Sequence, residues 1–339
     1  MYKLIIDAMG GDHAPQAIID GVVMALQEYT DIFVYLVGKQ EVIEQCLQNQ
    51  DYDRARLEIV DARDEIEMAE PPVKAVRTKK DASMVVGMQM AAEGKGDVFI
   101  TAGSTGAAVA GGTLIIRRAP NVLRPALAPV LPSAKGGVLL IDCGANIDCK
   151  PAFLQQFAVM GSIYMKAVMG IENPRVGLIN NGAEEEKGNA LTKEAYQLLE
   201  AANINFVGNA EGRDILSGDY DVVVCDGFVG NVLMKFMEGC ATFLFDMIKE
   251  ELLSSTRTKI GAALAKPAFS DLKKKLDYTE YGGALLLGTN TGLIKAHGSS
   301  NAKAIKNAIR QAREFTKMEL VEKIKQELTT DEQSRKEIE

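Results

Sequence analysis

Short apolar, β-branched runs alternate along the whole 339-residue chain with longer segments of helical periodicity. This alternation is typical of βαβ units and restricts the fold to a largely parallel sheet covered by helices. Several runs are apolar at every position, as expected for strands buried on both faces. The predicted strands are 4–7, 33–37, 57–60, 98–101, 127–130, 138–142, 176–180, 205–207 and 222–225. The predicted helices are 17–28, 41–48, 84–93, 155–169, 188–201, 231–253 and 301–328.

We therefore predict an α/β protein with a doubly wound, largely parallel sheet in three α/β/α layers. Residues 1–328 are predicted to form a single domain, and its division into two lobes is left open by the length of the chain. The polar residues 329–339 are predicted to be a frayed tail. Hydrophobic residues make up 47% of the chain, which is enough to form such a core.

Polar, glycine-containing turns follow most of these strands, and one more precedes the last helix. In doubly wound sheets, ligands bind beyond the carboxyl ends of the strands. The recurrence of amides, hydroxyls and carboxylates in these turns indicates an anion site. Each turn alone can also be explained as a helix cap or a tight turn. The six turns span residues 7–15, 101–108, 141–146, 180–189, 225–231 and 295–301.

Two of the turns favour phosphate most directly. In 101–108, small residues and hydroxyls lead into a helix whose free N–H groups would suit an anion, although close packing would select the same residues. The turn has neither the lysine of a Walker A loop nor G-x-G-x-x-G spacing, so no nucleotide is indicated. In 180–189, Lys187 is a lone cation at a helix start, where the helix dipole disfavours it. A bound anion would explain it.

The histidine and cysteine residues can each be explained without a role in this site. The only histidines, His13 and His297, lie in glycine turns, and each could be functional or simply an exposed loop residue. Five cysteines form no C-x-x-C pair, which indicates a reducing compartment and no zinc framework. Cys143 or Cys149 could be a nucleophile, but a buried free cysteine is the ordinary alternative. Because no acidic spacing requires a cation, we predict no metal and no cofactor.

The charge pattern excludes some partners and suggests others. A formal charge of −8 argues against a nucleic-acid binder. No uninterrupted apolar stretch is long enough to span a bilayer, so no integral membrane protein is expected. A basic, apolar segment predicts a helical hairpin at about 240–280 that docks an acidic partner or anionic lipid. The alternative is an amphipathic helix packed on its own domain. The cations are Arg257, Lys259, Lys266, Lys273, Lys274 and Lys275.

Together these segments closely resemble the bacterial phosphate acyltransferase family of phospholipid synthesis, the PlsX-type enzymes. The resemblance covers nearly the whole chain, and its motifs occur in the order of the family. The matching stretches are D-A-M-G-G-D-H-A-P from Asp7, T-A-G-S-T-G-A from Thr101, R-P-A-L-A from Arg124, I-D-C-G-A-N from Ile141, N-N-G-A-E-E-E-K-G-N from Asn180, C-D-G-F-V-G-N from Cys225, Y-G-G-A-L-L-L-G from Tyr281 and K-A-H-G-S-S-N from Lys295.

The resemblance implies reversible acyl transfer from an acyl-carrier-protein thioester to inorganic phosphate, giving acyl phosphate. It also implies a fold like that of isocitrate and isopropylmalate dehydrogenases and of phosphotransacetylase. A cytoplasmic homodimer that associates peripherally with the membrane through the basic hairpin is implied as well. Two other functions stay open on the sequence: a nicotinamide-dependent decarboxylating dehydrogenase on the same fold, and a non-enzymatic membrane-surface adaptor.

We expect the six turns to share the chemistry of this reaction. Phosphate is a competent nucleophile, so the protein mainly has to hold it near the thioester and stabilise the oxyanion. The predicted catalytic residues are Lys187, Asn180, Asn181, Asn231 and His297. The predicted phosphate-binding residues are Gly103, Ser104, Thr105, Gly106, Ser299 and Ser300. Further active-site residues are predicted at Asp7, Gly10, Gly11, His13, Asp142 and Asp226.

Overall fold

Two sheets form the framework of the chain, in a computed structural model that describes residues 1–276 and 281–338, without the side chains of 273–276 and 330–338. The first sheet has seven strands in the order β3 (Leu57–Asp61), β2 (Ile32–Gly38), β1 (Tyr2–Asp7), β4 (Val98–Thr101), β12 (Gly292–Lys295), β11 (Ala284–Leu287) and β5 (Ala126–Ala128). The second has five in the order β6 (Val130–Ser133), β7 (Gly136–Ile141), β10 (Val222–Val224), β8 (Arg175–Asn180) and β9 (Asn205–Glu211). Among the described strands, β11 pairs antiparallel with β12 and β5, β6 pairs antiparallel with β7, and the other pairings are parallel.

Eleven α-helices are found in the described residues and cover these sheets. They are α1 (Gln16–Glu28), α2 (Gln40–Leu47), α3 (Pro72–Thr78), α4 (Ser83–Ala92), α5 (Thr105–Gly111), α6 (Pro151–Met169), α7 (Ala190–Glu200), α8 (Gly227–Leu252), α9 (Thr256–Leu276), α10 (Ala302–Lys317) and α11 (Leu320–Ile338). A π-helical stretch, Gly112–Ile116, continues α5. The predicted α/β class, with a largely parallel and doubly wound architecture, is confirmed.

Alternate residues of the central strands face different cores, which is why these runs are apolar throughout. In β1, Leu4 and Ile6 pack with α1 and α10, while Ile5 packs with α4. The core that contains Leu4 also contains Leu139 and Ile141 of β7, so it is continuous from one sheet to the other. Each sheet is therefore the middle of three layers, and the two halves share apolar packing.

The structure differs from the sequence-based expectation in several elements, and helix α3 is one that was not predicted. The strand predicted at 127–130 is two strands, β5 and β6, which are separated at Pro129 and belong to different sheets. Strands β11 and β12 were not predicted. The single helix predicted at 301–328 is divided into α10 and α11 by Glu319, whose φ is 50°. Helix α11 continues to Ile338, over most of the segment 329–339; that this segment frays stays a prediction.

The hairpin predicted at about 240–280 is present as α8 and α9, and most of its surface is exposed; residues 277–280 of that range lie outside the described residues. Phe236 of α8 is 69% exposed and Leu264 of α9 is 80% exposed. By length and composition, α8 is the one described helix that could cross a bilayer, which the sequence analysis did not expect. However, its first turn packs against Asp142, where Gly227 and Gly230 leave room for that carboxylate and its backbone. This end of α8 is therefore part of the folded domain.

Candidate functional site

Three glycine turns converge at the carboxyl ends of the neighbouring strands β1, β4 and β12. We call these turns, residues 7–15, 101–106 and 295–301, the glycine-turn cluster. A Cβ at Gly10 would lie 2.5 Å from Asp7 Oδ2 and 2.7 Å from the Gly103 nitrogen, so this contact requires glycine. The Asp12 N–H donates to the Gly298 carbonyl at 2.8 Å. The sequence places these residues far apart, and the fold brings three of the six predicted turns together here.

Asp7 stabilises this cluster from its buried side. Its side chain is 1% exposed and accepts hydrogen bonds from Ser83 Oγ at 2.6 Å and from Thr101 Oγ1 at 2.7 Å. Burial raises the pKa of the Asp7 carboxyl, and these hydrogen bonds act against that rise. The geometry gives Asp7 the role of fixing two turns, because its oxygens point into the protein.

The predicted phosphate-binding residues of this cluster have different environments. The Gly103 N–H donates to Thr101 Oγ1 at 3.0 Å, and buried Ser104 caps α5 by accepting from the Ala107 N–H. Thr105 and Gly106 are exposed, and a Cβ at Gly106 would lie 2.6 Å from Pro72 Cγ. Packing and capping thus account for part of the motif that the sequence analysis assigned to phosphate. Of the other two predicted phosphate-binding residues, Ser299 is exposed and Ser300 is buried.

Lys295 is a buried cation in this cluster and was not among the predicted site residues. It is 6% exposed, and its Nζ donates to the carbonyl oxygens of Ala102, at 3.2 Å, and Ala296. Lys295 forms no ion pair with a carboxylate among the described residues. Burial lowers its pKa to about 8, and the charges of Asp7 and Asp12 act in the opposite direction. The feature of the sequence that could have indicated this residue is its position, a lysine at the end of the apolar strand Gly292–Lys295.

His297 is half-buried beside the same turn. The Ser299 N–H donates to its Nδ1 at 3.2 Å, and Ser299 Oγ lies 2.8 Å from that nitrogen. A backbone donor on Nδ1 requires a lone pair there, so we assign the neutral proton to Nε2. Burial lowers the pKa of His297, which favours this neutral form at pH 7. His13 is exposed at the edge of the cluster.

The second group of polar residues surrounds a pocket at the carboxyl ends of β8 and β10. The cavity measures about 480 Å³. We call it the amide pocket because asparagine side chains contribute much of its polar lining. It is lined by Leu154, Leu178, Ile179, Asn180, Asn181, Gly188, Asn189, Thr192, Cys225, Asp226 and Val229.

Two of these asparagines hold the turn together. Asn180 Nδ2 donates to the Lys187 carbonyl at 3.1 Å, and Asn180 Oδ1 accepts from the Asn181 N–H at 2.9 Å. Asn189 caps α7 by accepting from the Thr192 N–H at 3.0 Å. Asn180 was predicted to be a catalytic donor, but its amide is engaged within the turn.

Three other side chains near this pocket are available to a ligand. Lys187, Asn181 and Asn231 are exposed, and none forms a side-chain hydrogen bond or ion pair with another described residue. Asn231 lies on α8 beside Gly144, where a Cβ built on the glycine would be 3.7 Å from the Asn231 side chain. The Lys187 ammonium group and the two amides thus have donors that no described residue uses.

Asp142 and Asp226 support the amide pocket. Asp142 is completely buried and accepts from the backbone N–H groups of Leu127 at 2.8 Å, Ala145 at 3.1 Å and Asn146 at 2.6 Å. Burial raises the pKa of Asp142, which these donors oppose. Asp226 caps α8 by accepting from the Val229 N–H at 2.8 Å. The sequence placed both in the active site, and the structure gives them structural partners there.

The six predicted turns therefore form two groups. Helix α8 begins at the amide pocket, and Lys235 and Glu238, farther along it, act electrostatically on His297 of the glycine-turn cluster. The helix is the physical link between the groups. This separation could not be inferred from the turn motifs, because it depends on which strands share a sheet.

Cysteine and metal chemistry find little support in the described part of the chain. Burial raises the pKa of Cys149 to about 12, and it raises the pKa values of Cys143 and Cys225 well above the ordinary value of a thiol. These thiols are therefore poor nucleophiles at neutral pH. No group of three or more potential metal-ligating side chains occurs among the residues searched.

The hairpin cations are only partly described. Arg257, Lys259 and Lys266 are exposed on α9. The side chains of Lys273, Lys274 and Lys275 lie outside the described residues. The positive charge of the hairpin is therefore described only at Arg257, Lys259 and Lys266.

Solved structures with the same architecture give the fold class. A EutD phosphotransacetylase from Staphylococcus aureus has a TM-score of 0.56 and 17% identity, covering 92% of this chain and 94% of its own. A phosphotransacetylase from Streptococcus pyogenes has a TM-score of 0.57 and 16% identity, covering 93% and 94%. A 4-hydroxythreonine-4-phosphate dehydrogenase from Klebsiella pneumoniae has a TM-score of 0.51 and 13% identity, covering 94% and 99%. The chain thus has the two-sheet α/β fold that these enzymes share.

Sequence similarity then identifies the family within this fold class. Residues 2–323 match the model of the family described as fatty acid synthesis protein. A phosphate acyltransferase of Clostridium botulinum (strain Loch Maree / Type A3) is 50% identical over 325 residues, 96% of this chain and 97% of the relative. One of Clostridium perfringens (strain SM101 / Type A) is 49% identical over 328 residues, with coverages of 96% and 97%. The chain belongs to this family and is an acyltransferase, so the resemblance found in the sequence is confirmed.

Proposed function

We propose that the protein transfers a fatty acyl group reversibly from an acyl-carrier-protein thioester to inorganic phosphate, giving acyl phosphate for phospholipid synthesis. The observation that supports this most is the group formed by Lys187, Asn181 and Asn231. These side chains have no partners among the described residues. Asn181 lines the cavity of about 480 Å³, Lys187 directly precedes the lining residue Gly188, and Asn231 lies two residues after the lining residue Val229 on α8. Membership of an acyltransferase family gives no support to the dehydrogenase and adaptor alternatives.

The transfer needs one bond to form and one to break. A phosphate oxygen attacks the thioester carbonyl, the C–O bond forms, and the C–S bond breaks to release the carrier thiolate. The proton that the thiolate needs comes from phosphate or solvent. Because phosphate is already nucleophilic, we assign the protein two tasks: holding it near the carbonyl, and stabilising the oxyanion of the tetrahedral intermediate.

Lys187 supplies the charge in this proposal. Its ammonium group contacts the phosphate or the developing oxyanion, and the Asn181 and Asn231 amides donate hydrogen bonds to the same oxygens. Asn180 and Asp142 hold these groups in position through the turn bonds described above. No metal or cofactor is needed for this sequence of steps.

His297 has a lesser role. As a neutral imidazole with its proton on Nε2, it can donate a hydrogen bond to the departing sulfur. A thiolate leaves readily, so this donor is worth less than Lys187. We place phosphate in the amide pocket and the His297 donor towards the leaving group.

The exposed hairpin fits a membrane surface. Apolar side chains such as Phe243 (62% exposed) and Leu264 (80% exposed) lie on the same hairpin as Arg257, Lys259 and Lys266. Apolar residues beside cations favour the interface of an anionic bilayer. We propose that the protein is a cytoplasmic homodimer that associates peripherally with the membrane through this hairpin.

The proposed reaction is tested by incubating the protein with acyl-carrier-protein thioester with and without inorganic phosphate. We expect thiol release only with phosphate, together with an acyl phosphate that hydroxylamine traps. Equal thiol release without phosphate would identify a thioesterase and contradict the proposal.

A further inference from the structure

An unusual charge pattern lies between Asp97 and Asp142. The chain has 46 acidic residues and a net charge of −8, yet none of the residues 98–141 is acidic. Three arginines of this segment, Arg117, Arg118 and Arg124, fall within nine residues of each other. We call residues 117–125 the arginine loop. The mechanism proposed above uses none of its side chains.

The arginine loop has a defined shape. Arg118 Nη1 donates to the Leu123 carbonyl at 3.0 Å and closes the loop, and the Asn290 N–H donates to the Arg117 carbonyl at 2.9 Å. Arg117 and Asn121 have φ values of 69° and 63°, which L-residues rarely adopt. Such conformations persist only where the surrounding structure enforces them, and they are common at functional sites.

The guanidinium groups of the loop are presented to solvent. Arg117 and Arg124 are exposed, and neither forms an ion pair with a described residue. Arg124 lies over the ring of Phe153, 5.7 Å from its centroid, which holds its charge in a fixed place. Exposed apolar side chains accompany these charges, with Leu123 38% and Ile147 64% exposed.

The loop adjoins the amide pocket. Asn146 Nδ2 donates to the Pro125 carbonyl at 2.7 Å, and the same Asn146 is bonded to Asp142 beneath the pocket. Phe153, which supports Arg124, is followed directly by Leu154, which lines the pocket. Lys150 is exposed at the start of the same helix. One side of the pocket thus has a cationic rim with apolar patches.

We infer that the arginine loop is the docking surface for the acidic carrier protein that delivers the acyl thioester. This inference rests on the proposed function. Charge complementarity steers such a partner and fixes its orientation, and the rim places it beside the pocket where its thioester must react. The other cationic surface is less suitable. The tip of the hairpin is separated from Asp226 by the 26 residues of α8, about 39 Å at 1.5 Å per residue.

The test compares two double charge reversals that change the net charge equally. Arg117→Glu with Arg124→Glu alters the loop, and Lys259→Glu with Lys266→Glu alters the hairpin. We expect the loop variant to raise KM for acyl carrier protein at least tenfold. Its kcat, its KM for phosphate and its rate with a carrier-free acyl-N-acetylcysteamine thioester should stay unchanged. The hairpin variant should keep a normal KM for acyl carrier protein.

Three outcomes would overturn the inference. One is an unchanged KM for acyl carrier protein in the loop variant. Another is an equal loss with the carrier-free thioester, which would show that the loop supports the pocket itself. The third is loss of binding to phosphatidylglycerol vesicles with carrier kinetics intact, which would make the loop a membrane contact.

A direct binding titration keeps the docking inference separate from the proposed function. Fluorescently labelled carrier protein is titrated with wild-type protein and with each variant at low salt, without turnover. Weaker binding only in the loop variant supports docking even if the wild type shows no phosphate-dependent reaction. Equal binding by all three proteins contradicts it. The neutral pair Arg117→Gln with Arg124→Gln repeats the measurement with less risk to folding.

Discussion

The amide pocket and the glycine-turn cluster have similar surroundings, but the lysine is buried in one and exposed in the other. Each lies at the carboxyl ends of parallel strands and rests on a buried aspartate, Asp142 in one and Asp7 in the other. In the glycine-turn cluster the lysine is buried against carbonyl oxygens, whereas Lys187 of the pocket is exposed and has no described partner. Buried groups with satisfied hydrogen bonds serve the fold, and exposed groups with free donors remain for a ligand.

The strongest test of this contrast removes the free cation. Lys187→Ala should lower kcat/KM for the phosphate-dependent reaction by about 100-fold to 1000-fold, the ~2.7–4 kcal/mol typical of a lost oxyanion donor. Lys193→Ala, which removes an exposed lysine from α7, is the matched control. Steady-state rates over a range of phosphate concentrations provide the measurement. Near-normal acyl phosphate formation by a folded Lys187→Ala protein would exclude the amide pocket as the phosphate site.

Replacing the buried residue Asp142 should mainly lower the stability of the protein, whereas replacing Lys187 should mainly lower its activity. Asp142→Ala leaves three backbone N–H groups without their acceptor, so we expect the free energy of unfolding to fall by about 3 kcal/mol. Asp148→Ala removes an exposed carboxylate from the same turn and should change it by less than about 0.5 kcal/mol. Urea denaturation measures both. Equal stability of the two variants would refute the structural role of Asp142.

The contrast between the two regions also explains what the sequence could predict. Strands such as Val98–Thr101 were predicted at their observed bounds because apolar β-branched runs are local signals. Strands β11 and β12, which also have four residues each, were missed because only the short polar turn 288–291 separates them. They form an antiparallel pair with no helix between them, so they do not show the alternation of strand and helix that indicated the other strands. The division of 127–130 depends on Pro129 and on which sheet each half joins, and that is a tertiary property.

The site follows the same rule. Residue type and turn position were enough to select Lys187, Asp7 and Asp142 as candidates. They did not show that Asn180 is engaged within its own turn, because its partner is the carbonyl of Lys187, seven residues away. Nor did they select Lys295, whose burial depends on Ala102, which is distant in sequence. Which polar groups are left free is decided by the fold, so it had to come from the structure.

A smaller effect, the pH dependence of stability, tests whether Lys295 is a structural residue and not a ligand of phosphate. The pKa of Lys295 is lowered from 10.5 to about 8, so the unfolded chain binds more protons between these values. Stability should therefore rise with pH from about 8 to 10.5, by at most about 1.4 kcal/mol per pH unit. Lys295→Met should flatten this rise in urea denaturation, with Lys303→Met as the control. If KM for phosphate rose more in Lys295→Met than in Lys187→Ala, the phosphate would belong in the glycine-turn cluster.

The smallest expected effect concerns the leaving group. His297→Gln should lower kcat by about tenfold or less, because a thiolate departs with little help. Burial lowers the pKa of His297, so the difference in rate between wild type and His297→Gln should shrink only below pH 6.5, as protonation of Nδ1 breaks its bond from the Ser299 N–H. His13→Gln, at an exposed position, should leave both kcat and the pH profile unchanged. A loss in His297→Gln as large as that in Lys187→Ala would give the two regions equal shares of the chemistry, and α8 would then have to hold them together during the reaction.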